Sequence, residues 1–332
     1  MPNRHAFIRS VGRFLPERRL TNQDLEKMID TTDEWIFSRT GIRERRILEP
    51  GLGNSYMAIR AALDCLERGG TAPEEVDAIV IGTVTPDMFY PSTACLVQKG
   101  IGATRAWGFD LSAGCSGFVF SLTTGVQMIE SGRYDKVLVI GSDVMSAIVD
   151  YEDRNTCVLF GDAAGAALLE PCPEAGYGVL DFIQRIDGAG EPHLHMKAGG
   201  SRRPSSFETV KNKEHYVYQE GPQVFKWAVT EMAHVSAQIL EKNGLTGDDV
   251  AFFLPHQANL RIIEASANRM KIDRHKVVIN IDRYANTTAA TIPLCLYDVV
   301  AEEKRVKKGD YLVMSAFGAG FTWGSVLIRW WE

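Results

Sequence analysis

A layered α/β architecture is the fold class this sequence predicts, and three observations carry it. First, short branched apolar runs recur, as expected of strands buried on both faces: 76–83 (VDAIVIGT), 136–141 (KVLVIG), 250–254 (VAFFL), 276–281 (KVVINI) and 311–316 (YLVMSA). Second, segments with helical spacing separate them. Third, the order of elements repeats. In the first half, 73–77 (PEEVD) leads into a strand, then a helix, a strand at 107–111, a polar turn at 112–116, an apolar helix, a Gly132 turn and the KVLVIG strand. In the second, 247–250 (GDDV) leads into a strand, then a helix from about Asn259, the KVVINI strand, a polar turn at 284–288, an apolar helix, a Gly309 turn and the YLVMSA strand. Val76 to Cys115 is 39 positions and Val250 to Asn286 is 36, so the two polar turns are pseudo-equivalent. A duplicated fold follows, with halves expected at 1–172 and 173–332.

Taken in order, the helical segment 54–68 carries Met57, Ile59, Ala61, Ala62, Leu63 and Leu66, and Gly69-Gly70 then stops it. The small residues at 161–166 (GDAAGA) lie between strand-like runs and suit close backbone packing. Residues 190–218, rich in Lys, Arg, His, Ser and Gly, form an excursion or loop-helix cap between the repeats. Residues 315–324 (SAFGAGFTWG) follow a strand, either as a tight hairpin or as a backbone N–H oxyanion hole. No Lys-Ser/Thr follows, so it is no phosphate loop.

Composition narrows the function classes. The 332 residues are 45% hydrophobic and 23% charged, and 36 Lys+Arg against 42 Asp+Glu give a net charge of −6. Such a chain suits about two domains or one large duplicated one and makes nucleic acid a poor partner; an acidic partner needs a local basic patch. The N-terminus lacks a signal-peptide core and no run is apolar enough to span a membrane, so a cytoplasmic protein is expected. The six cysteines are scattered and read as reduced thiols. His193 and His195 have no neighbours that complete a metal set, so no metal is expected.

Three residues at pseudo-equivalent strand ends can carry chemistry. Cys115 lies between a strand and an apolar helix, where the helix dipole is expected to lower its pKa; the plainer alternative is a small buried hydrophobe. His256 follows a buried strand directly, where α/β ligand sites gather. Asn286 serves either in catalysis or as a helix N-cap. Thiol chemistry with these residues takes two forms: a His base oriented by Asn, or a dipole-activated Cys with His and Asn both donating to one developing oxyanion. Spacing leaves both open.

Several motifs, in order along the chain, resemble the β-ketoacyl-[acyl-carrier-protein] synthase III family. These are 35–42 (WIFSRTGI) with Arg43 to Arg46, the cysteine motif 109–118, 161–166, Gly221 to Phe225 with Lys226, 255–259 (PHQAN), Asn286-Thr287 and 317–324. The resemblance implies a thiolase-like fold, layered α-β-α-β-α with two mixed five-stranded sheets. It also implies the second chemistry, a decarboxylating Claisen condensation of a short acyl-CoA, acetyl-CoA being the expected primer, with malonyl-acyl carrier protein. Cys115 is then the nucleophile, the N–H groups of Cys115 and Ala319 the oxyanion hole, and His256 and Asn286 donors to the enolate.

For CoA, the resemblance implies Trp35 and Arg154 around the adenine, Arg39 at the phosphates, and Gly221, Phe225 and Asn259 along the pantetheine. Tyr90, crossing a homodimer interface, and Met145 shape the acyl pocket. Lys226, Arg261, Arg269 and Lys271, with Arg274 and Lys276 nearby, form the basic patch for the carrier protein; a solvated helix face is the plainer alternative. No cofactor is implied, both thioesters being substrates. One departure from the family pattern is Ala285, where glycine commonly precedes the asparagine; a positive φ there would strain alanine. A secondary-metabolic synthase or acyltransferase, a thioesterase or cysteine hydrolase, and an acyl-CoA binding protein are the competing functions.

Overall fold

Four of the five apolar runs form strands, and these assemble with further strands into two sheets whose connectivity repeats. The computed structural model describes residues 4–332. The first sheet contains β1 (Ala6–Phe14), β2 (Ala78–Gly82), β3 (Trp107–Leu111), β4 (Val137–Asp143) and β5 (Ala163–Pro171), in the order β1-β5-β4-β2-β3. Its β2 pairs in parallel with β3 and β4, whereas β5 is antiparallel to β4 and β1. The second contains β6 (Gly178–Ile186), β7 (Val250–Pro255), β8 (Tyr311–Gly318) and β9 (Thr322–Arg329), in the order β7-β8-β9-β6. Here β7 and β8 are parallel, and β9 is antiparallel to β8 and β6. Aligning β6-β9-β8-β7 on β1-β5-β4-β2 reproduces every strand direction.

The second sheet therefore has four strands rather than five, and the KVVINI run is not a strand. Only Val277 bridges to Phe253, in parallel, where β3 would have its counterpart. The physical reason is Gln257, which is fully buried. Its amide donates to the carbonyls of Pro255 (2.8 Å) and Val278 (3.1 Å), and its Oε1 accepts from the N–H groups of Asn280 (3.1 Å) and Ile281 (3.2 Å). One side chain thus satisfies backbone groups that a further strand would have paired, and the chain turns into the short helix Ile281–Tyr284.

Helices separate and cover the sheets. The helix Gly117–Glu130 contributes Phe118, Val119, Leu122, Val126 and Ile129 to a core cluster. That cluster also includes Val80 and Val139 of the first sheet, Leu254 and Met314 of the second, and Ile292 and Leu296 of the helix Thr291–Tyr297. The outer face of the first sheet is covered by Asn54–Gly69 and Thr93–Ile101 through Met57, Ala61, Val97 and Ile101. Gly221–Lys242 and Leu260–Met270 cover the second through Met232, Ile239, Ile262 and Met270. The layers run α-β-α-β-α, because each sheet, apolar on both faces, needs a helical layer on each side.

Within the excursion between the repeats, Leu194–Met196 pairs with Val217–Gln219, and a short helix spans Phe207–Lys211. Among the described residues, no helix is long and apolar enough to cross a membrane.

Candidate active site

Cys115 sits in a 3-10 turn, Gly114–Ser116, at the end of β3 and immediately before the helix Gly117–Glu130. The turn is stitched to the β8–β9 hairpin of the other repeat. Ser116 Oγ donates to Thr322 O (3.0 Å), and Thr322 Oγ1 donates to Ala113 O (2.8 Å). Glycine is required where the two segments meet. A Cβ on Gly318 would lie 2.4 Å from Cys115 N, and one on Gly114, whose φ is +53°, would lie 2.7 Å from Ala319 N. The Gly-rich stretch is thus a hairpin turn that also brings Ala319 N–H to the thiol.

Burial pushes the Cys115 thiol up to about 12, with the Asp143 carboxylate adding to the rise; the N–H groups of Cys115 and Ala319, aimed at Sγ, act the other way. This corrects the expectation of a lowered pKa. A helix N-terminus contributes at most about 2 kcal/mol. Raising a thiol from 9.0 to about 12 represents about 4 kcal/mol, so desolvation wins and the resting group is a thiol.

Asn286 is held from the opposite repeat by the segment 159–161. Its N–H donates to Leu159 O (3.0 Å) and its carbonyl accepts from Gly161 N (3.0 Å). Thr288 N–H donates to Asn286 Oδ1 (2.9 Å), which settles the amide orientation and leaves Nδ2 as the end without a protein partner among the described residues. The preceding Ala285 adopts φ 59° and ψ −156°, a region essentially reserved for glycine. Its side chain is buried among Ile36, Ile42, Met145 and Phe160, so the methyl gains contacts where the backbone is strained.

His256 follows β7, is almost completely buried, and anchors its N–H on Ser315 O (2.8 Å). Its Nδ1 lies 2.7 Å from Thr291 Oγ1, and its Nε2 has no partner among the described residues. Burial alone pulls the imidazole down to about 3, so it is neutral at physiological pH. One segment collects all three residues. Residues 286–291 supply Asn286, pack Thr288–Ala290 against the cysteine turn, and hold His256 through Thr291.

Two residues that sequence patterns did not single out support this arrangement. Asp143, fully buried at the end of β4 with no cation beside it, accepts from Val84 N (2.8 Å), Thr85 N (3.2 Å), the Thr83 and Thr85 hydroxyls, and Ala289 N (3.2 Å). Desolvation raises its pKa. Its signal was an acid ending an otherwise apolar strand. Arg45, also fully buried and pulled down to about 10 by burial, donates to Leu20 O (3.1 Å), Val158 O (2.9 Å) and Asn22 Oδ1 (3.0 Å). It braces the segment that holds Asn286.

At the surface beside the site, Trp35 lies on the helix Asp33–Thr40 with two guanidinium groups over its ring, Arg154 at 4.1 Å and Arg39 at 4.7 Å. The expected partners are therefore together, with Arg39 over the indole as well as Arg154. Asn259 caps the helix Leu260–Met270 by accepting from Arg261 N (2.9 Å) and donates to Arg39 O (2.9 Å), so its amide is already engaged at both ends. Gly221 opens its helix with open space where a Cβ would project, and Phe225, one turn on, is partly exposed. Met145 is buried, whereas Phe89 and Tyr90 are 80% and 84% exposed.

The basic cluster divides. Arg274 pairs with Glu264 (2.5 Å) and Lys276 donates to Asp248 O (2.9 Å). Lys226, Arg261, Arg269 and Lys271 are exposed and pair with no carboxylate among the described residues. His193 bonds Glu220 (2.6 Å) and His195 bonds Glu191 O (2.8 Å); no group of three or more metal-ligating side chains occurs among the described residues.

Comparison with known proteins settles the family. Residues 109–188 match the model for 3-oxoacyl-[acyl-carrier-protein (ACP)] synthase III, and 240–330 match that for its C-terminal domain. The β-ketoacyl-[acyl-carrier-protein] synthase III of Koribacter versatilis is 54% identical over 328 residues, 98% of each chain. The chain belongs to the β-ketoacyl-[acyl-carrier-protein] synthase III family. It is accordingly an acyltransferase of the thiolase-like condensing class that initiates fatty acid synthesis. Among solved structures, the synthase III of Aquifex aeolicus aligns with TM-score 0.89 and 42% identity, covering 98% of this chain and 100% of that one. The priming β-ketosynthase of the R1128 polyketide biosynthetic pathway aligns with TM-score 0.91 and 35% identity, covering 100% and 98%.

Proposed function

We propose that this synthase condenses a short acyl-CoA with malonyl-acyl carrier protein through an acyl-Cys115 intermediate. The observation that carries the reading is a set of donors suited to an oxyanion: two backbone N–H groups aimed at the Cys115 sulfur, and Asn286 Nδ2 and His256 Nε2, both without a partner among the described residues.

Cys115 sulfur attacks the acyl-CoA carbonyl, and the oxyanion of the tetrahedral intermediate accepts from Cys115 and Ala319 N–H. Overall, the thiol proton passes to the departing CoA sulfur, so the transfer leaves no net charge in the buried site. Malonyl thioester then loses carbon dioxide, and the enolate oxygen accepts from His256 Nε2–H and Asn286 Nδ2–H. Neutral His256 suits a donor that does not surrender its proton. The carbanion attacks the acyl-Cys115 carbonyl, the bond from that carbonyl carbon to the Cys115 sulfur breaks to give the β-ketoacyl thioester, and the released thiolate takes up one proton from solvent, which restores the thiol. Exclusion of water protects the intermediate from hydrolysis.

Substrate handling follows the same reading. Trp35, Arg39 and Arg154 take the nucleotide end of CoA, and Gly221, Phe225 and Asn259 flank the pantetheine. Lys226, Arg261, Arg269 and Lys271, free of carboxylate partners, suit the acidic surface of a carrier protein. The exposed Phe89 and Tyr90 suit a homodimer interface in which Tyr90 reaches the partner's acyl pocket, with Met145 lining its own. Residues 1–172 and 173–332 serve as the two halves, a reading the repeated sheet connectivity supports, and the enzyme works in the cytoplasm without a cofactor.

The likeness to the R1128 priming ketosynthase supports a second reading, a primer other than acetyl for a secondary metabolite. Exposure to a panel of acyl-CoAs, with intact-mass readout, separates these readings by which acyl group loads onto Cys115; Cys115→Ala carrying the same adduct refutes the nucleophile. Carbon dioxide release that requires both acylated enzyme and malonyl-acyl carrier protein is expected. Loss of the acyl group to water at a rate indifferent to the malonyl donor would make the protein a hydrolase.

A further inference from the structure

His256 can donate to an enolate oxygen only if its single ring proton sits on Nε2, and something must make that tautomer the resident one. We propose that Thr291 is a positioning residue that donates its hydroxyl proton to His256 Nδ1 and thereby keeps the ring proton on Nε2. This inference rests on the proposed role of His256 as a donor to substrate.

The geometry around Thr291 supports that direction of donation. Its hydroxyl has one hydrogen and two acceptors within reach, His256 Nδ1 at 2.7 Å and Thr288 O at 3.1 Å. Thr288 O already accepts the backbone N–H of Thr291, so it does not depend on the hydroxyl. Nδ1 has no other partner among the described residues; were the hydroxyl to donate to Thr288 O instead, Oγ1 would accept Nδ1–H, so the direction of this one bond sets the tautomer. The opposite arrangement, Nδ1–H donating to Thr291, would aim the Nε2 lone pair at a developing negative charge. Thr291 is itself buried at the first position of its helix, and its branched side chain has few rotamers, so the hydroxyl is held in place before substrate arrives. A donor on Nδ1 also draws electron density from the ring and strengthens Nε2–H as a donor.

The test combines nitrogen NMR of 15N-histidine-labelled full-length protein with separate assays of the two half-reactions. Of the seven histidines, His256 is assigned as the signal lost in His256→Asn. In the wild type, Nδ1 is expected to be unprotonated and hydrogen-bonded, with Nε2 protonated. In Thr291→Val, of similar shape but without a hydroxyl, Nδ1 moves toward the position of a nitrogen with a free lone pair. Condensation falls about 10-fold, as for loss of an outer partner that orients a histidine. Acylation of Cys115 by acyl-CoA stays within about 2-fold, since that step draws on the backbone N–H groups. Thr291→Ser restores most of the condensation rate. A wild-type proton on Nδ1, or equal condensation by the valine and serine variants, overturns the inference. Should His256→Asn itself retain condensation, the donor role of His256 fails and this inference fails with it. An inactive His256→Asn beside a fully active Thr291→Val rejects only the inference.

Discussion

Acidification should destabilise this protein through His256, by an amount the structure fixes. Burial holds the folded-state imidazole down at about 3 against an ordinary 6.5. As pH falls below 6.5 the unfolded chain takes up a proton that the folded site refuses, and stability is lost until the folded group protonates near pH 3. Each pH unit in that window costs about 1.4 kcal/mol, so lowering the pH from 7 to 5 removes about 2 kcal/mol. Asp143, Asp162 and Asp298, whose pKa values burial raises, act in the opposite direction, because their folded forms bind protons more readily than the unfolded chain. Total stability therefore does not isolate the histidine, but a difference between proteins does. His256→Gln keeps a polar side chain and removes the titration. Urea unfolding of both proteins at pH 7 and pH 5, at one protein concentration, should show the wild type losing about 2 kcal/mol more than the variant. An equal pH dependence, within about 0.5 kcal/mol, would mean that folded His256 protonates near its ordinary value, and the neutral-donor chemistry would lose its basis. By the same logic, no acid limb of the condensation profile between pH 5 and 8 belongs to His256.

Other expectations follow from the same site. Ala285→Gly relieves about 1–3 kcal/mol of backbone strain but loses about 0.8 kcal/mol of buried methyl and adds about 0.4–1 kcal/mol of unfolded-state entropy; a stability between about 1 kcal/mol below and about 2 kcal/mol above wild type is expected in urea, and a loss above about 2 kcal/mol refutes the strain. Alkylation of Cys115 by iodoacetamide, followed on its own peptide by mass spectrometry, should speed up about tenfold per pH unit from pH 7 to 10, whereas a plateau below pH 8 would indicate a resting thiolate. Reversing the charges of Lys226, Arg261, Arg269 and Lys271 together should raise KM for malonyl-acyl carrier protein at least tenfold and leave Cys115 acylation by acyl-CoA within about 2-fold; equal effects on both steps remove the patch as a carrier-protein surface.

The primary sequence alone carried the α/β class, the repeat, most strand positions and the three residues proposed to carry the chemistry. These are properties of local pattern: a doubly buried strand must be apolar throughout, a helix must keep its period, and a duplicated topology places equivalent turns at equivalent distances. The KVVINI segment shows where local pattern stops. It has the composition of a strand, yet Gln257, distant from most of it in sequence, takes over its hydrogen bonds, and no local propensity records a long-range side chain competing with a ladder. Cys115 shows the same limit in its electrostatics. Its neighbours along the chain suggested an activating helix dipole, but its protonation state follows from burial and from Asp143, supplied by a different strand. The protonation of His256, the amide orientation of Asn286 and the placement of Ala319 over the thiol likewise arise only when both repeats are packed together, because desolvation and hydrogen-bond satisfaction depend on which atoms surround a group in space.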